Sequence, residues 1–227
     1  MSSEPVTIRT PSRANQPRVR SGQRNAQAHP AQIGAGGAGI RALDVLVASL
    51  GTVVLAIPML AIALVVKLTS RGPALYWQER TGLGGEPFVM CKFRTMRLDA
   101  EHDTGPVWAK RGDPRRTWLG VFMRRASLDE LPQLWNVLRG EMSLVGPRPE
   151  RPVFVREFSQ KLPRYKQRHR VPPGITGWAQ IHGWRGDTSL ARRLEHDLYY
   201  VEHRSLALNL RIMLLTPFRL LFDRNAC

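Results

Sequence analysis

Residues Val45 to Val66 read VLVASLGTVVLAIPMLAIALVV, a run of 22 residues without a charge. A helix of this length measures about 33 Å at ~1.5 Å per residue, which is enough to cross a hydrocarbon core of ~30 Å. A buried core helix of a soluble protein is the alternative, and an uncharged run of this length is unusual there. The run therefore predicts a protein that is bound to a membrane.

Pro58 lies in the middle of this run, and basic residues flank the run on both sides, at Arg41 and Lys67. A proline inside a helix removes a backbone hydrogen bond and bends the helix. Because basic flanks prefer the cytoplasmic side of a membrane, both ends are expected on that side. We therefore predict a re-entrant membrane helix over residues 41–70, which enters, bends at Pro58 and returns. A straight span is the alternative.

Residues 1–40 precede the membrane segment, contain no Phe, Trp or Tyr, and carry four prolines. Such a segment cannot bury enough apolar surface to order itself, so we predict a disordered basic tail. The tail holds five arginines and one glutamate, a net charge of +4, whereas the whole chain carries +16. Most of the positive charge therefore belongs to the folded part. It indicates an anionic partner: nucleic acid, an anionic membrane face or a phosphate-rich substrate.

Residues 71–227 follow the membrane segment and have the pattern of a soluble domain. Runs at 74–78 and 88–93 are rich in aromatic and β-branched residues and flank the turn Gly82-Leu83-Gly84-Gly85, which predicts a β-hairpin. Helices are predicted at 129–139, 150–161 and 190–203. The expected fold class is α+β and helix-rich, a small cytosolic domain attached to the re-entrant helix.

The apolar segment 206–222 carries Arg211 and Arg219, and these two charges disfavour a spanning helix. An amphipathic helix in the membrane interface would turn both cations toward lipid phosphates. A C-terminal core helix whose arginines reach the surface is the alternative.

The chain lacks the motifs of several common protein classes. It contains no GxSxG, HExxH or Walker loop, and its six histidines show no metal-ligand spacing. Its two cysteines are too few for a disulfide scaffold or a four-thiolate zinc site. What remains is a set of carboxylates and cations at unusual positions.

Asp129 and Glu130 are adjacent carboxylates at a predicted helix start. Ser127 and Glu130 fit a capping box, in which the carboxylates serve the helix end. Pro132 counts against capping, because with Ser127 as N-cap its ring would clash with the preceding turn. If Pro132 instead opens the helix, both carboxylates lie on the approach to it and are free to point at a ligand. The spacing favours neither interpretation over the other.

Several cations occur in settings that suit phosphate binding. Arg148 stands between Pro147 and Pro149, which fix the backbone that presents its guanidinium, so less entropy is lost when a phosphate binds. Lys92 and Arg94 alternate on a predicted strand and therefore share one face. A solvated turn and a solvated strand face are the alternatives.

Three motifs carry a family resemblance. They are KFRTM at 92–96, SLDELPQLWNVLRGEMSLVGPRP at 127–149 and PGITGWAQ at 173–180. Over roughly residues 40–224 the chain resembles the bacterial sugar transferases, the monotopic phosphoglycosyl transferases that load polyprenyl phosphate. GWRGDT at 183–188 and DLYY at 197–200 look most like the undecaprenyl-phosphate glucose phosphotransferase branch.

The resemblance implies a reaction and a site. Such enzymes move a sugar 1-phosphate, with glucose 1-phosphate favoured here, from a UDP-sugar to undecaprenyl phosphate and release UMP. This is the first membrane step of exopolysaccharide or other glycoconjugate synthesis. Asp129 is implied as the nucleophile that forms a phosphosugar-aspartyl intermediate, and Glu130 with Asp129 as the ligands of Mg²⁺. Phosphate binding is assigned to Lys92, Arg94, Arg124 and Arg148, and sugar or metal contact to Asp197.

The resemblance also implies the surroundings of the enzyme. Its expected partners are a UDP-sugar, undecaprenyl phosphate and membrane lipids, without nucleic acid, and a homodimer is compatible with them. The catalytic domain, residues 71–227, is expected on the cytoplasmic face of the bacterial inner membrane. Two departures leave the sugar open: four more membrane helices usually precede the core in that branch, and His182 stands where Asn is usual.

The charge of +16 and the six tryptophans leave two further interpretations, a membrane-tethered nucleic-acid-binding protein and an inactive assembly scaffold. The basic residues are spread along the chain without a known nucleic-acid-binding module, which disfavours the first. Intact Asp129, Glu130 and Arg148 disfavour the second.

Overall fold

The computed structural model describes residues 37–102, 105–108 and 112–222. The predicted tail, residues 1–40, lies outside these ranges except for residues 37–40. Those residues already belong to the first helix, α1, which spans Gly37–Val54. Ile40 is buried, and its packing stabilises a helical turn that the Gly/Ala tract alone does not predict.

The predicted membrane segment consists of two helices, α1 and α2 (Ala56–Thr69), separated at Leu55. The break therefore lies one turn before Pro58 and not at the proline itself. Pro58 has no N–H to donate to the carbonyl of Val54, and in a continuous helix its ring would clash with that carbonyl. The chain avoids this clash by leaving the helix just before that turn.

The start of α1 is attached to the downstream domain by hydrogen bonds. Arg41 donates to the carbonyl oxygens of Val137 at 2.6 Å and Leu138 at 2.8 Å. Asp44 is buried, and its Oδ1 accepts a hydrogen bond from the backbone N–H of Leu144 at 2.9 Å. These bonds satisfy carbonyls at a helix end and an N–H of a short strand, groups that would otherwise lack partners.

The end of α2 contacts the same domain. Val66 is buried with Phe93 and Met123 in an apolar cluster. Arg94 donates to the carbonyl oxygen and the hydroxyl of Ser70, each at 3.0 Å. Both ends of the α1–α2 pair are therefore fastened to one domain.

Between these ends, the surface of the α1–α2 pair is apolar and exposed. Val53, Ile57 and Leu60, close to the break, are 70–79% exposed. Among the described residues, α1 is the one helix long and apolar enough to cross a membrane, with 18 residues and a mean hydropathy of 1.5. Only 22% of it is buried. A core helix of a soluble protein would not expose so much apolar surface.

The predicted hairpin is present. It consists of β1 (Leu75–Thr81) and β2 (Pro87–Phe93), which are antiparallel with Tyr76 opposite Lys92. Gly84 in the turn has a φ of 67°, which glycine adopts without strain. The strand β1 extends further toward the turn than predicted.

A second sheet pairs β3 (Ser143–Val145) with β4 (Gly174–Thr176) in parallel. The sequence did not predict it, because strands of three residues leave too short a pattern. Gly174 allows the close approach, since a Cβ there would lie 2.0 Å from the backbone nitrogen of Gly146. The pairing brings the Pro-Gly segment of β4 beside the segment that carries Arg148.

The helices largely occupy their predicted places. Three predicted ranges correspond to α5 (Pro152–Lys161), α7 (Leu190–His203) and α8 (Leu206–Phe222). The predicted helix 129–139 is instead a 3₁₀ segment, Leu128–Gln133, followed by α4 (Leu134–Leu138). Further short elements not predicted are α3 (Trp118–Arg125), α6 (Trp178–Ile181) and a 3₁₀ turn at Tyr165–Arg170.

The main core lies where α1, α4 and α8 pack against the β3–β4 sheet. Val137, Met142 and Ile212 are among its most buried side chains. The helix α8 buries Ile212 on one side and exposes Leu214 on another, so it is partly a core helix and partly apolar surface. Helix-rich architecture with two small sheets is compatible with the predicted α+β class.

Candidate active site

A cavity of about 240 Å³ lies between the β1–β2 hairpin, α3 and the 3₁₀ segment Leu128–Gln133. Six of the predicted site residues line it: Lys92, Arg94, Arg124, Asp129, Glu130 and Arg148. Cations outnumber carboxylates among its described lining residues. Such a cavity suits an anionic ligand that carries phosphate groups.

The two carboxylates lie on the 3₁₀ segment and not at the start of an α-helix. Ser127, which precedes the segment, has a φ of 54°, and its side chain makes no capping hydrogen bond. The capping box is therefore absent. Pro132 is the fifth residue of the 3₁₀ segment that follows Ser127, so it does not open a helix, and the helix it interrupts is not an α-helix. Asp129 and Glu130 are buried and line the cavity, as the ligand-directed interpretation expects.

Glu130 forms an ion pair with Arg148, whose Nη2 donates to its Oε1 at 2.6 Å. Arg148 is itself held in place, because Nη2 of Arg168 donates to its carbonyl oxygen at 2.8 Å. Burial alone would raise the pKa of Glu130, but the charge and hydrogen bond of Arg148 outweigh burial and hold that pKa below its usual value. Glu130 is therefore an anion at neutral pH.

In the same surroundings, the pKa of Asp129 shifts in the opposite direction, above its usual value. Burial raises its pKa, and the neighbouring charge of Glu130 adds to the rise, while Lys92 and Arg124 oppose it. Two adjacent carboxylates repel each other when both are ionised. Because Arg148 pairs with Glu130, it is the pKa of Asp129 that rises. The ionisation of Asp129 thus depends on the surrounding cations.

Lys92, on β2, and Arg124, on α3, line the same cavity as the two carboxylates. Burial lowers the pKa of Lys92 to about 7, and the charges of Arg80 and Arg124 lower it as well, against the opposing effect of Asp129. Arg124, on α3, is buried, and its Nε donates to Oγ1 of Thr95 at 2.9 Å. Both side chains are thus positioned at the cavity wall.

Two predicted site residues, Arg94 and Asp197, form hydrogen bonds with other parts of the protein. The guanidinium of Arg94 donates to the backbone carbonyls of Ser70, Arg71 and Pro73, so it ties β2 to the end of α2 although it borders the cavity. Asp197 is buried and does not line the cavity. Its Oδ2 accepts from Nε and Nη2 of Arg168 at 3.0 and 2.7 Å.

The whole described site lies inside a match to a known protein family. The family model for the bacterial sugar transferases matches residues 37–223. The chain belongs to the bacterial sugar transferase family.

Individual relatives of this bacterial sugar transferase bear names for related activities. The UDP-glucose:undecaprenyl-phosphate glucose-1-phosphate transferase of Xanthomonas campestris is 48% identical over 172 residues, which are 74% of this chain and 36% of that protein. The Caulobacter vibrioides protein of the same name is 46% identical over 82% of this chain and 71% of its own length. A UDP-N-acetylgalactosamine-undecaprenyl-phosphate N-acetylgalactosaminephosphotransferase of Aeromonas hydrophila is 43% identical over 78% of this chain and 42% of that protein. The chain thus spans about two fifths or less of the length of the first and third relatives.

The cavity of this sugar transferase also contains residues that the sequence did not single out. Glu150 accepts from Nη1 of Arg193 at 3.2 Å and lies 3.6 Å from Nη1 of Arg80, and all three line the cavity. Arg80 shares a face of β1 with Tyr76, an alternation that could have indicated it. Glu150 directly follows the Pro-Arg-Pro motif, whereas Arg193 lies on a distant helix and left no such signal.

The carboxylates of the cavity suit a Mg²⁺ ion that is held jointly by the protein and by substrate phosphates. Mg²⁺ often takes one or two protein carboxylates and completes its shell with water and substrate phosphates. Asp129 and Glu130 offer such a pair. Among the described residues there is no group of three or more His, Cys, Asp or Glu side chains that could hold a metal ion, so a closed protein-only site is not built here.

Proposed function

We propose that this chain transfers a sugar 1-phosphate from a UDP-sugar to undecaprenyl phosphate through a phosphosugar-aspartyl intermediate. One observation carries the proposal most directly. Asp129 and Glu130 face a common cavity with Lys92, Arg124 and Arg148, on a domain fastened to an apolar helix pair. The names of the relatives, which specify UDP-sugars and undecaprenyl phosphate, support the same substrates.

The first half-reaction forms a covalent bond to the enzyme. A carboxylate oxygen of Asp129 attacks the phosphorus linked to the sugar, the bond from that phosphorus to the bridging oxygen breaks, and UMP leaves with the electron pair. Arg148, Arg124 and Lys92 offset the negative charge of the diphosphate as the carboxylate approaches it. The same cations favour the ionised form of Asp129 and so oppose the rise in its pKa that burial causes.

The second half-reaction restores the enzyme. A phosphate oxygen of undecaprenyl phosphate attacks the phosphorus of the intermediate, and the bond from that phosphorus to Asp129 breaks. The carboxylate is released, and a lipid-linked diphosphate sugar is formed. Mg²⁺, held by Glu130 and Asp129 together with substrate phosphates, would supply further charge neutralisation when bound.

The proposed location is the cytoplasmic face of the bacterial inner membrane, with the α1–α2 pair as a re-entrant hairpin. Its support is that both ends of the pair are fastened to one domain while the side chains near Leu55 are exposed and apolar. The helices α3 and α8 also expose apolar side chains, such as Phe122 and Phe218, and would lie in the interface.

The proposed sugar is glucose. Glucose is favoured because two of the relatives above are named for UDP-glucose, but a third is named for UDP-N-acetylgalactosamine. The test uses the purified full chain with undecaprenyl phosphate, Mg²⁺ and a panel of UDP-sugars, with released UMP as the readout. UMP release from UDP-glucose above the other donors supports the proposal, and no release from any donor contradicts it.

A further inference from the structure

A second cavity, of about 220 Å³, lies beside the first and is of a different kind. Its apolar wall comes from the 3₁₀ segment, α4, β4 and α6 and includes Leu128, Leu131, Leu134, Ile175 and Ile181. Two residues, Glu130 and Arg185, line both cavities. The second cavity therefore borders Glu130 directly and meets the cation-lined cavity there.

The apolar wall of this second cavity continues into the membrane segment. Leu128 and Leu131 pack on the cluster around Val66, which also receives Met59 and Ile62 of α2. Leu134 packs closely on α1, since a Cβ on Gly51 would lie 3.3 Å from its Cδ1. The leucines that line the second cavity are thus the same leucines that contact the proposed hairpin.

The polar residues of the second cavity suit an anionic headgroup. Arg219, from α8, and Arg185 both line it. Nη1 and Nη2 of Arg185 lie 3.4 and 3.5 Å from the hydroxyl of Ser127, the residue with the left-handed φ of 54°. Thr216, one turn before Arg219, is tied to β4 by a 2.8 Å hydrogen bond between its hydroxyl and that of Thr176. The helix that brings Arg219 to the cavity is therefore positioned by the domain.

Resting on the proposed function, we infer that this second cavity binds the head of the acceptor lipid, the phosphate and the first isoprenoid carbons of undecaprenyl phosphate. Arg219 and Arg185 bind the phosphate, and the leucine wall takes the isoprenoid carbons. A UDP-sugar, which is polar throughout, gains nothing from such a wall, whereas a phosphate on a hydrocarbon chain matches both of its parts. The donor and the acceptor thus occupy different cavities that meet at Glu130.

The test separates the two half-reactions. Without acceptor, the full chain with UDP-glucose and Mg²⁺ should release UMP in a burst that is stoichiometric with enzyme. With undecaprenyl phosphate, turnover gives the acceptor KM. Arg219→Gln should leave the burst intact and raise the acceptor KM by about 10-fold, and Thr216→Trp, which fills the cavity, should do the same.

Two matched variants on α8 serve as controls. Leu215→Trp adds the same bulk at the neighbouring position, and Arg211→Gln removes the same charge from the same helix; neither residue lines the cavity. The inference predicts a much smaller change of the acceptor KM in both. An acceptor KM that stays unchanged in Arg219→Gln and Thr216→Trp, or rises equally in the controls, overturns it. Absence of the UMP burst in the unaltered protein would instead contradict the proposed function.

Discussion

Glu130 and Arg148 are joined by a 2.6 Å hydrogen bond between Oε1 and Nη2, across a gap of 18 residues in the sequence. The pair connects the 3₁₀ segment to the Pro-Arg-Pro turn and sets the charge of the site. Burial raises the pKa of Asp129, the proposed nucleophile, and the Glu130 anion that Arg148 stabilises raises it further. The two adjacent carboxylates thus have different properties before any ligand binds.

Glu130→Gln tests the role of this anion. The amide keeps the shape of the side chain but cannot offer a charged ligand, so we expect the Mg²⁺ concentration for half-maximal activity to rise at least ~10-fold, together with a lower rate. A magnesium titration of UMP release measures both. An unchanged titration would place the metal away from Glu130.

Asp129→Asn tests the covalent intermediate. We expect it to abolish trapping of radiolabelled sugar phosphate on the protein and to lower turnover by on the order of 10⁴-fold or more. Because burial disfavours the charge of Asp129, the neutral amide should not lower the melting temperature, which distinguishes lost chemistry from lost folding. Asp187→Asn, an exposed position, is the matched control. Full turnover in Asp129→Asn would disprove the nucleophile assignment.

Lys92 makes activity depend on pH. Its pKa is lowered to about 7, so it binds phosphate as a cation below that value and loses its charge as the pH rises through it. We therefore expect kcat/KM for the UDP-sugar to fall on the alkaline side of about pH 7. Lys92→Arg keeps the charge at all these pH values and should remove that alkaline limb. An alkaline limb that persists unchanged in Lys92→Arg would assign it to another group.

Topology can be tested with single cysteines. Ser3→Cys and Gly105→Cys should be labelled from the same side of the membrane by an impermeant reagent, because a re-entrant hairpin returns the chain to the side it entered from. Labelling from opposite sides would establish a straight span. Of the two native cysteines, Cys91 is buried and should give little background, and Cys227 is replaced by serine in both variants.

Local patterns in the sequence were enough to predict the hairpin and the approximate ranges of α5, α7 and α8. Hydrophobic periodicity and turn residues act over a few positions, so they are readable without the tertiary structure. The 3₁₀ segment at Leu128–Gln133 was not predictable in this way. Its conformation depends on Ser127 in the left-handed region and on leucines that pack against distant elements.

The site was predictable to the extent that motifs carry it. Asp129, Glu130 and Arg148 belong to conspicuous motifs, and the structure brings them together with Lys92 and Arg124. Arg94 and Asp197 also belong to such motifs, but in the structure they bind the protein itself. The guanidinium of Arg94 donates to backbone carbonyls, and the carboxylate of Asp197 accepts from Arg168. A charged residue that binds a ligand and one that binds its own fold differ only in their neighbours, which are distant in the chain.

By itself, the sequence determined that this protein has a long apolar segment interrupted by a proline, a pair of adjacent carboxylates and a rigidly held arginine. These follow from composition and from backbone constraints that act within a few residues. Only the tertiary structure decided that both ends of the apolar segment meet one domain, which cations face the carboxylates, and that Glu130 separates a cationic cavity from an apolar one. Those relationships arise from contacts between elements far apart in the chain, where burial and neighbouring charge set the chemistry of each group.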